Sequence, residues 1–263
     1  MRHPGALDNP GALQLDRARA QALEQPDAVP EEDGHQVHVY LVEDSRPDAL
    51  LRDAGGAHGD VLIARDRPRS LDGFIAGPND GQGQPLGEGG ERLFEGFSAG
   101  DTEYGLPGTE MVFRVSPQSA EMLREAHAGL GAFVTGRRTF DISNGWDGSP
   151  PLGVPTFVVT HAVPDEWVYE GSPFTFVTDG VESAVERARD VAGEKDVAVG
   201  AASIAQQCIR GGILDEVHVD LVPVLLGDGV RLFERLGAGP IGLESTRVIQ
   251  GAGVTHLTFR VVK

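Results

Sequence analysis

The sequence predicts an α/β protein: a mixed, mostly parallel central sheet with helices on both faces, ending in a C-terminal antiparallel hairpin. Three observations carry this. Short β-branched runs alternate with helical periods through the middle of the chain, the order that lays parallel strands between crossover helices. The last apolar runs follow one another without a helix, around a turn at Gly251–Gly253. Glycine, 36 of 263 residues, recurs at the ends of these runs, where a chain turns tightly or approaches a ligand.

Each element follows from its own residues. Residues 1–59 are rich in Pro, Ala, Asp, Glu and His, with one strand-like run, "VHVYLV", at 37–42. They are expected to be a poorly ordered extension, or a non-native segment from a misplaced start or a frameshift. A single domain is expected over 60–263. It opens with "DVLIA" (Asp60–Ala64) as a buried strand, followed by a long glycine-rich loop. In "SPQSAEMLREAHAGLG", Ser116 is placed to cap a helix and Pro117 to begin it. Met122, Leu123 and Ala126 recur at helical spacing, and Gly129 is the stop. "AFVT", "VPTFVVT" (Val154–Thr160) and "FTFV" (Phe174–Val177) read as strands.

"DGVESAVERARDVAG" reads as a helix, with Asp179 and Glu182 at capping-box spacing and Val181, Val185, Ala188 and Ala192 on one apolar face. "DVAVG" is a strand and "AASIAQQCIRGG" a helix stopped by Gly211 or Gly212. "DEVHVDLVPVLLG" is expected to be a long strand bent at Pro223, and "LESTRVIQGAGVTHLTFRVV" the terminal hairpin.

With 22 basic and 40 acidic residues, the formal net charge is -18. Such a surface repels nucleic-acid phosphates and anionic lipid, so neither is an expected partner. Cys208 is the single cysteine, which excludes an intrachain disulfide and a cysteine-based zinc site. No signal-peptide core and no long apolar window occurs, and the cytoplasm is the expected compartment.

In an open α/β sheet, ligands bind beyond the carboxyl ends of the strands. Four segments fall there. In "TGRRTF" (Thr135–Phe140), Gly136 lets the backbone approach a ligand, Arg137 and Arg138 suit a phosphate, and Thr139 adds a hydroxyl. Salt bridges to surface carboxylates are the alternative. In "VGAASIAQQ" (Val199–Gln207), a strand ends in small residues before a helix, which suits a pyrophosphate or merely close packing. In "SLDGFIAG" (Ser70–Gly77), Asp72 and Gly73 form a turn, or cover a flat ring. In "PVLLGDGVRLF", Gly227–Gly229 form a turn between apolar runs. Cys208, His218 and His256 read as structural, and His161 as structural or adenosine-flanking. No H-E-x-x-H, G-x-S-x-G or Walker loop is present, so no metal site is expected.

Taken in order, "SLDGFIAGPND", "GRRTF", "GGILDEVHVDLVPVLLGDGVRLF" and the terminal hairpin resemble the dihydrofolate reductase-like superfamily. The nearer resemblance is to the reductase domain of riboflavin biosynthesis. It covers about three quarters of the chain, from about Asp60 to Lys263. The resemblance implies a three-layer fold, NADPH as cofactor, hydride transfer to a small-molecule substrate and a homodimer. It implies that Gly136, Arg137, Arg138 and Thr139 hold the adenosine phosphate end, with Thr160 and His161 flanking it. Gly200, Ala201, Ala202 and Ser203 then form the pyrophosphate turn. Ser70, Asp72 and Gly73 lie near nicotinamide and substrate, with Asp72, Glu121 or water as the proton source. The alternative is a binding protein on the same fold that does not turn over.

Two departures stand out. The family's Gly-Gly pair reads Gly200-Ala201 here, where a methyl group crowds the turn. The charged stretch "DRPRSLDG" (Asp66–Gly73) stands where related sequences tend to be apolar and points to an unnatural frame up to about Arg69. A deaminase is not expected, because the zinc signature of the partner domain is missing.

Overall fold

A computed structural model describes residues 59–63, 68–237 and 239–263. The expected extension up to residue 58, with its run at 37–42, lies outside the described residues. The elements are β1 (Val61–Ile63), β2 (Arg69–Ser70), β3 (Phe74–Ala76), β4 (Thr102–Gly105), β5 (Val112–Val115), α1 (Pro117–Gly129), β6 (Leu130–Gly136) and α2 (Arg137–Ile142). Then come β7 (Thr156–Val159), β8 (Phe174–Val177), α3 (Val181–Ala192), β9 (Asp196–Val199), α4 (Ala202–Arg210), β10 (Glu216–Val222), β11 (Val230–Arg231), β12 (Leu243–Gly251) and β13 (Val254–Val261).

One nine-stranded sheet runs β12-β13-β10-β1-β9-β6-β7-β8, with β2 also paired to β10. From β10 to β8 every pairing is parallel, and β13 joins β10 and β12 antiparallel. The predicted α/β class and the C-terminal hairpin are therefore both present. β1 and β2 pair in succession along β10, at Glu216 and at Leu221–Val222. Arg69 is built into this sheet: it is buried, and its Nη1 donates to the His218 carbonyl at 2.6 Å.

Apolar residues alternate across the sheet and so supply both helix layers. Phe157 and Val217 face the cluster formed by Val181, Val185 and Ala188 of α3 and Ile204 and Ala205 of α4. On the other face, Val158 packs with Phe140 of α2, and Val222 with Met122 and Leu123 of α1. Cys208 is fully buried in the α3–α4 layer, and burial pushes its thiol pKa up to about 12, so it is an inert core residue.

Several local expectations hold. Ser116 caps α1 by accepting the Ser119 amide, and Pro117 begins the helix. Three need correction. The capping box on α3 does not form: Gly180 takes the cap position at φ 108, and Asp179 instead accepts from Ser183 Oγ and Arg187 Nη2. The long strand does not bend at Pro223 but stops at Val222, since proline has no amide to continue the ladder. The loop after β1 also carries short strands: β3 pairs with β11, and β4 and β5 form a hairpin of their own.

Candidate functional site

The carboxyl ends of β9, β6 and β7 are neighbours in the sheet, and each carries residues expected to act. β6 ends at Gly136, which is buried and leads directly into α2. A Cβ at Gly136 would lie 3.3 Å from Ile204 Cγ1 and 3.6 Å from Ser203 Oγ. The end of β6 is thus in contact distance of the first turn of α4, and the first two predicted segments converge.

After β9, Gly200 donates its amide to the Val134 carbonyl at 2.9 Å, which extends the pairing with β6. It has no room for a side chain, since a Cβ would meet the Phe133 ring at 2.3 Å. Ala201 follows at φ 93, ψ 128, backbone that residues with a Cβ rarely adopt. Ala201 caps α4 with no side-chain hydrogen bond, and the first helical bond is Ala205 to the Ala201 carbonyl. The amides of Ala202, Ser203 and Ile204 therefore begin the helix without intrahelical acceptors, at its positive end.

After β7, Thr160 is buried and its hydroxyl donates to the Ala162 carbonyl at 2.7 Å. Arg137 Nη1 donates to the same carbonyl at 2.7 Å, so the β6 and β7 ends meet there. His161, between them, is exposed.

Both arginines are already paired. Arg137 Nε meets Asp141 Oδ1 at 2.7 Å on the next turn of α2. Arg138 Nη2 meets Asp80 Oδ1 at 2.7 Å and the Asp80 carbonyl at 2.9 Å. Thr139 is half-buried beside them. The Asp141 partner is legible as an i,i+4 spacing; Asp80 lies 58 residues away and leaves no local signal. Each guanidinium has five N–H donors, so both retain some for a ligand.

The third and fourth segments also meet. The Asp72 carboxylate accepts from the amides of Leu226 at 3.2 Å and Gly227 at 2.8 Å. Gly73, at φ 88, turns the chain, and its amide donates to the Ser70 carbonyl. Ser70 is buried, and its hydroxyl oxygen accepts the Phe74 amide at 2.9 Å. Arg231, missed in the sequence, donates to the Asp72 carbonyl at 3.0 Å and lies 4.2 Å from the Phe74 ring centroid. The Ser70 hydroxyl, ahead of the Gly227 and Leu226 amides, holds the Asp72 carboxyl down at about 2. A carboxyl group at that value is ionised at neutral pH and has no proton to give. The geometry favours a turn-holding Asp72 over the proton-donating one. Glu121 is exposed on α1, the helix leading into the start of β6, not its carboxyl end.

The residues at the strand ends fit a dinucleotide in two respects. The amides opening α4 are uncapped, and the buried Thr135 hydroxyl, next to Gly136, has no hydrogen-bond partner. A separate hollow of about 410 Å³ is lined by Tyr104, Arg124 and His127, with Tyr104 bonded to His127. It belongs to β4 and the last turns of α1, and shares no residue with the predicted set. Among the described residues, no group of acidic, His and Cys side chains could hold a metal, and no helix is long and apolar enough to cross a membrane.

The family model described as the RibD C-terminal domain matches residues 68–255. None of the curated proteins compared matches the chain. A putative riboflavin biosynthesis protein from Shewanella sp. PV-4 is 19% identical, with 78% of this chain and 99% of that one covered, at a TM-score of 0.55. A diaminohydroxyphosphoribosylaminopyrimidine deaminase/5-amino-6-(5-phosphoribosylamino)uracil reductase from Thermotoga maritima is 11% identical. There 78% of this chain covers 57% of the longer one, at a TM-score of 0.50. These two likenesses concern the fold.

Proposed function

The chain belongs to the RibD C-terminal domain family, and from that premise we propose that it is an NADPH-dependent reductase of a small heterocyclic or carbonyl substrate. The observation that carries the proposal is the uncapped start of α4, set against Gly136 at the carboxyl ends of adjacent parallel strands. In this reading the amides of Ala202 and Ser203 hold the diphosphate, and Gly200 and Gly136 keep the backbone close to it. Arg137, Arg138 and Thr139 receive the 2'-phosphate, with Thr160 and His161 at the adenosine. Ser70, Asp72 and Gly73 form one wall of the substrate space, which Asp72 keeps in shape through its bonds to Leu226 and Gly227. When bound, NADPH supplies the hydride, and a proton from water completes the two-electron reduction. A homodimer and a cytoplasmic setting belong to the same proposal.

One observation favours the second reading, a nucleotide-binding protein without turnover. Ala201 places a methyl group at strained backbone in the pyrophosphate turn.

Calorimetry with NADPH and NADH tests the proposal. Arg137→Ala is expected to weaken NADPH by at least about tenfold, the scale of a charge-assisted hydrogen bond, and to leave NADH nearly unchanged. Equal losses for both would remove the 2'-phosphate role. Binding without NADPH oxidation across pterins, pyrimidines and ketones would favour the second reading.

A further inference from the structure

The two arginines meet their carboxylates in different ways. Asp141 sits four residues from Arg137 on the same short helix. Asp80 comes from the loop after β3, and grips Arg138 through both its carboxylate and its main-chain carbonyl. The Asp80 side chain is 16% exposed and that of Arg138 68%.

The loop holds its own shape without Arg138. Gly77 donates to the Leu86 carbonyl at 2.8 Å, Glu88 to the Pro78 carbonyl at 2.9 Å, and Asn79 Nδ2 to Glu88 Oε1 at 2.8 Å. Gly81 and Gln84 exchange backbone bonds at the tip. Asp80 is therefore presented by a braced loop, while the Arg138 guanidinium sits on a long, exposed stem. Arg137, Arg138, Asp80 and Asp141 together sum to zero charge, so a phosphate arriving there gains less than it would from two unpaired arginines.

Resting on the cofactor reading above, we propose that Asp80 sets the cofactor preference of this site. Its carboxylate occupies Arg138 in place of a phosphate. A 2'-phosphate engages Arg138 by displacing Asp80, and the advantage of NADPH over NADH is held down by that competition.

Asp80→Asn preserves the side-chain shape and removes the charge. Calorimetry at fixed ionic strength would compare NADPH, NADH and adenosine 2'-phosphate on the wild type, Asp80→Asn, Arg137→Ala and the Asp80→Asn/Arg138→Ala double variant. Asp80→Asn is expected to bind NADPH and adenosine 2'-phosphate about fivefold more tightly, the size of one exposed ion pair, with NADH unchanged. The double variant should lose that gain. If Asp80→Asn leaves the NADPH-to-NADH ratio unchanged while Arg137→Ala still weakens NADPH selectively, the role of Asp80 is overturned and the cofactor reading stands. If neither the wild type nor Asp80→Asn binds NADPH or adenosine 2'-phosphate, both fall.

Discussion

The Asp72 carboxylate accepts a 2.8 Å hydrogen bond from the Gly227 amide, 155 residues further along the chain. With the Leu226 bond, it pins the turn after β2 to the loop before β11, and so fixes the spacing of two segments that border the proposed substrate space.

The folded-state pKa of Asp72, about 2, lies below its ordinary 3.8. Its stabilising contribution is therefore fully present above about pH 4 and is lost as the pH falls toward 2. Denaturation midpoints of the wild type and Asp72→Asn should differ at pH 6 and converge near pH 2. A constant difference across that range would show that the ionised carboxylate is not the stabilising group. Turnover that survives in Asp72→Asn, reduced by loop misplacement but not abolished, is expected if water is the proton source.

Ala201 at φ 93 is strained for any residue with a Cβ. Strain of this kind costs about 1–3 kcal/mol, partly offset by the greater unfolded-state entropy of glycine. Ala201→Gly should raise stability by about 1 kcal/mol in urea denaturation. A loss of stability would mean that the methyl group makes packing contacts that outweigh the backbone strain.

His256 is buried between Asp220, 2.7 Å from its Nδ1, and Ser119, 2.8 Å from its Nε2. These bonds tie β13 to β10 and to the first turn of α1. His256→Leu removes one hydrogen bond from the buried Asp220 carboxylate and one from the Ser119 hydroxyl, which keeps Ser116 Oγ, at a cost of about 3 kcal/mol. Ser119→Ala removes two neutral contacts, to His256 Nε2 and to Ser116 Oγ at 2.9 Å, and should cost about 1–2 kcal/mol. Equal effects, measured by denaturant midpoint, would show that the Asp220 contact is not the dominant one.

What was legible in the sequence was local. Ser116 and Pro117 announce α1, and Val181, Val185 and Ala188 announce the buried face of α3, because those signals lie within one or two turns. The convergence of Gly136 with Ser203 followed from parallel strand order, since carboxyl ends of parallel strands share one edge. Pairings across long separations were not legible. Alternation places His256 and Asp220 on one sheet face, but only the β10–β13 register sets them opposite each other. Asp80 reaches Arg138 through a turn whose shape depends on bonds to Leu86 and Glu88. The α3 capping box failed for a local reason: Gly180 takes the cap position, which moves Asp179 outside the helix.

The most direct test of the central claim is a crystal structure of the protein soaked with NADPH. The diphosphate is expected against the amides of Ala202 and Ser203, with the 2'-phosphate within hydrogen-bond distance of Arg137 or Arg138. Cofactor bound elsewhere, for instance in the hollow beside Tyr104 and His127, with the start of α4 left uncovered, would contradict it.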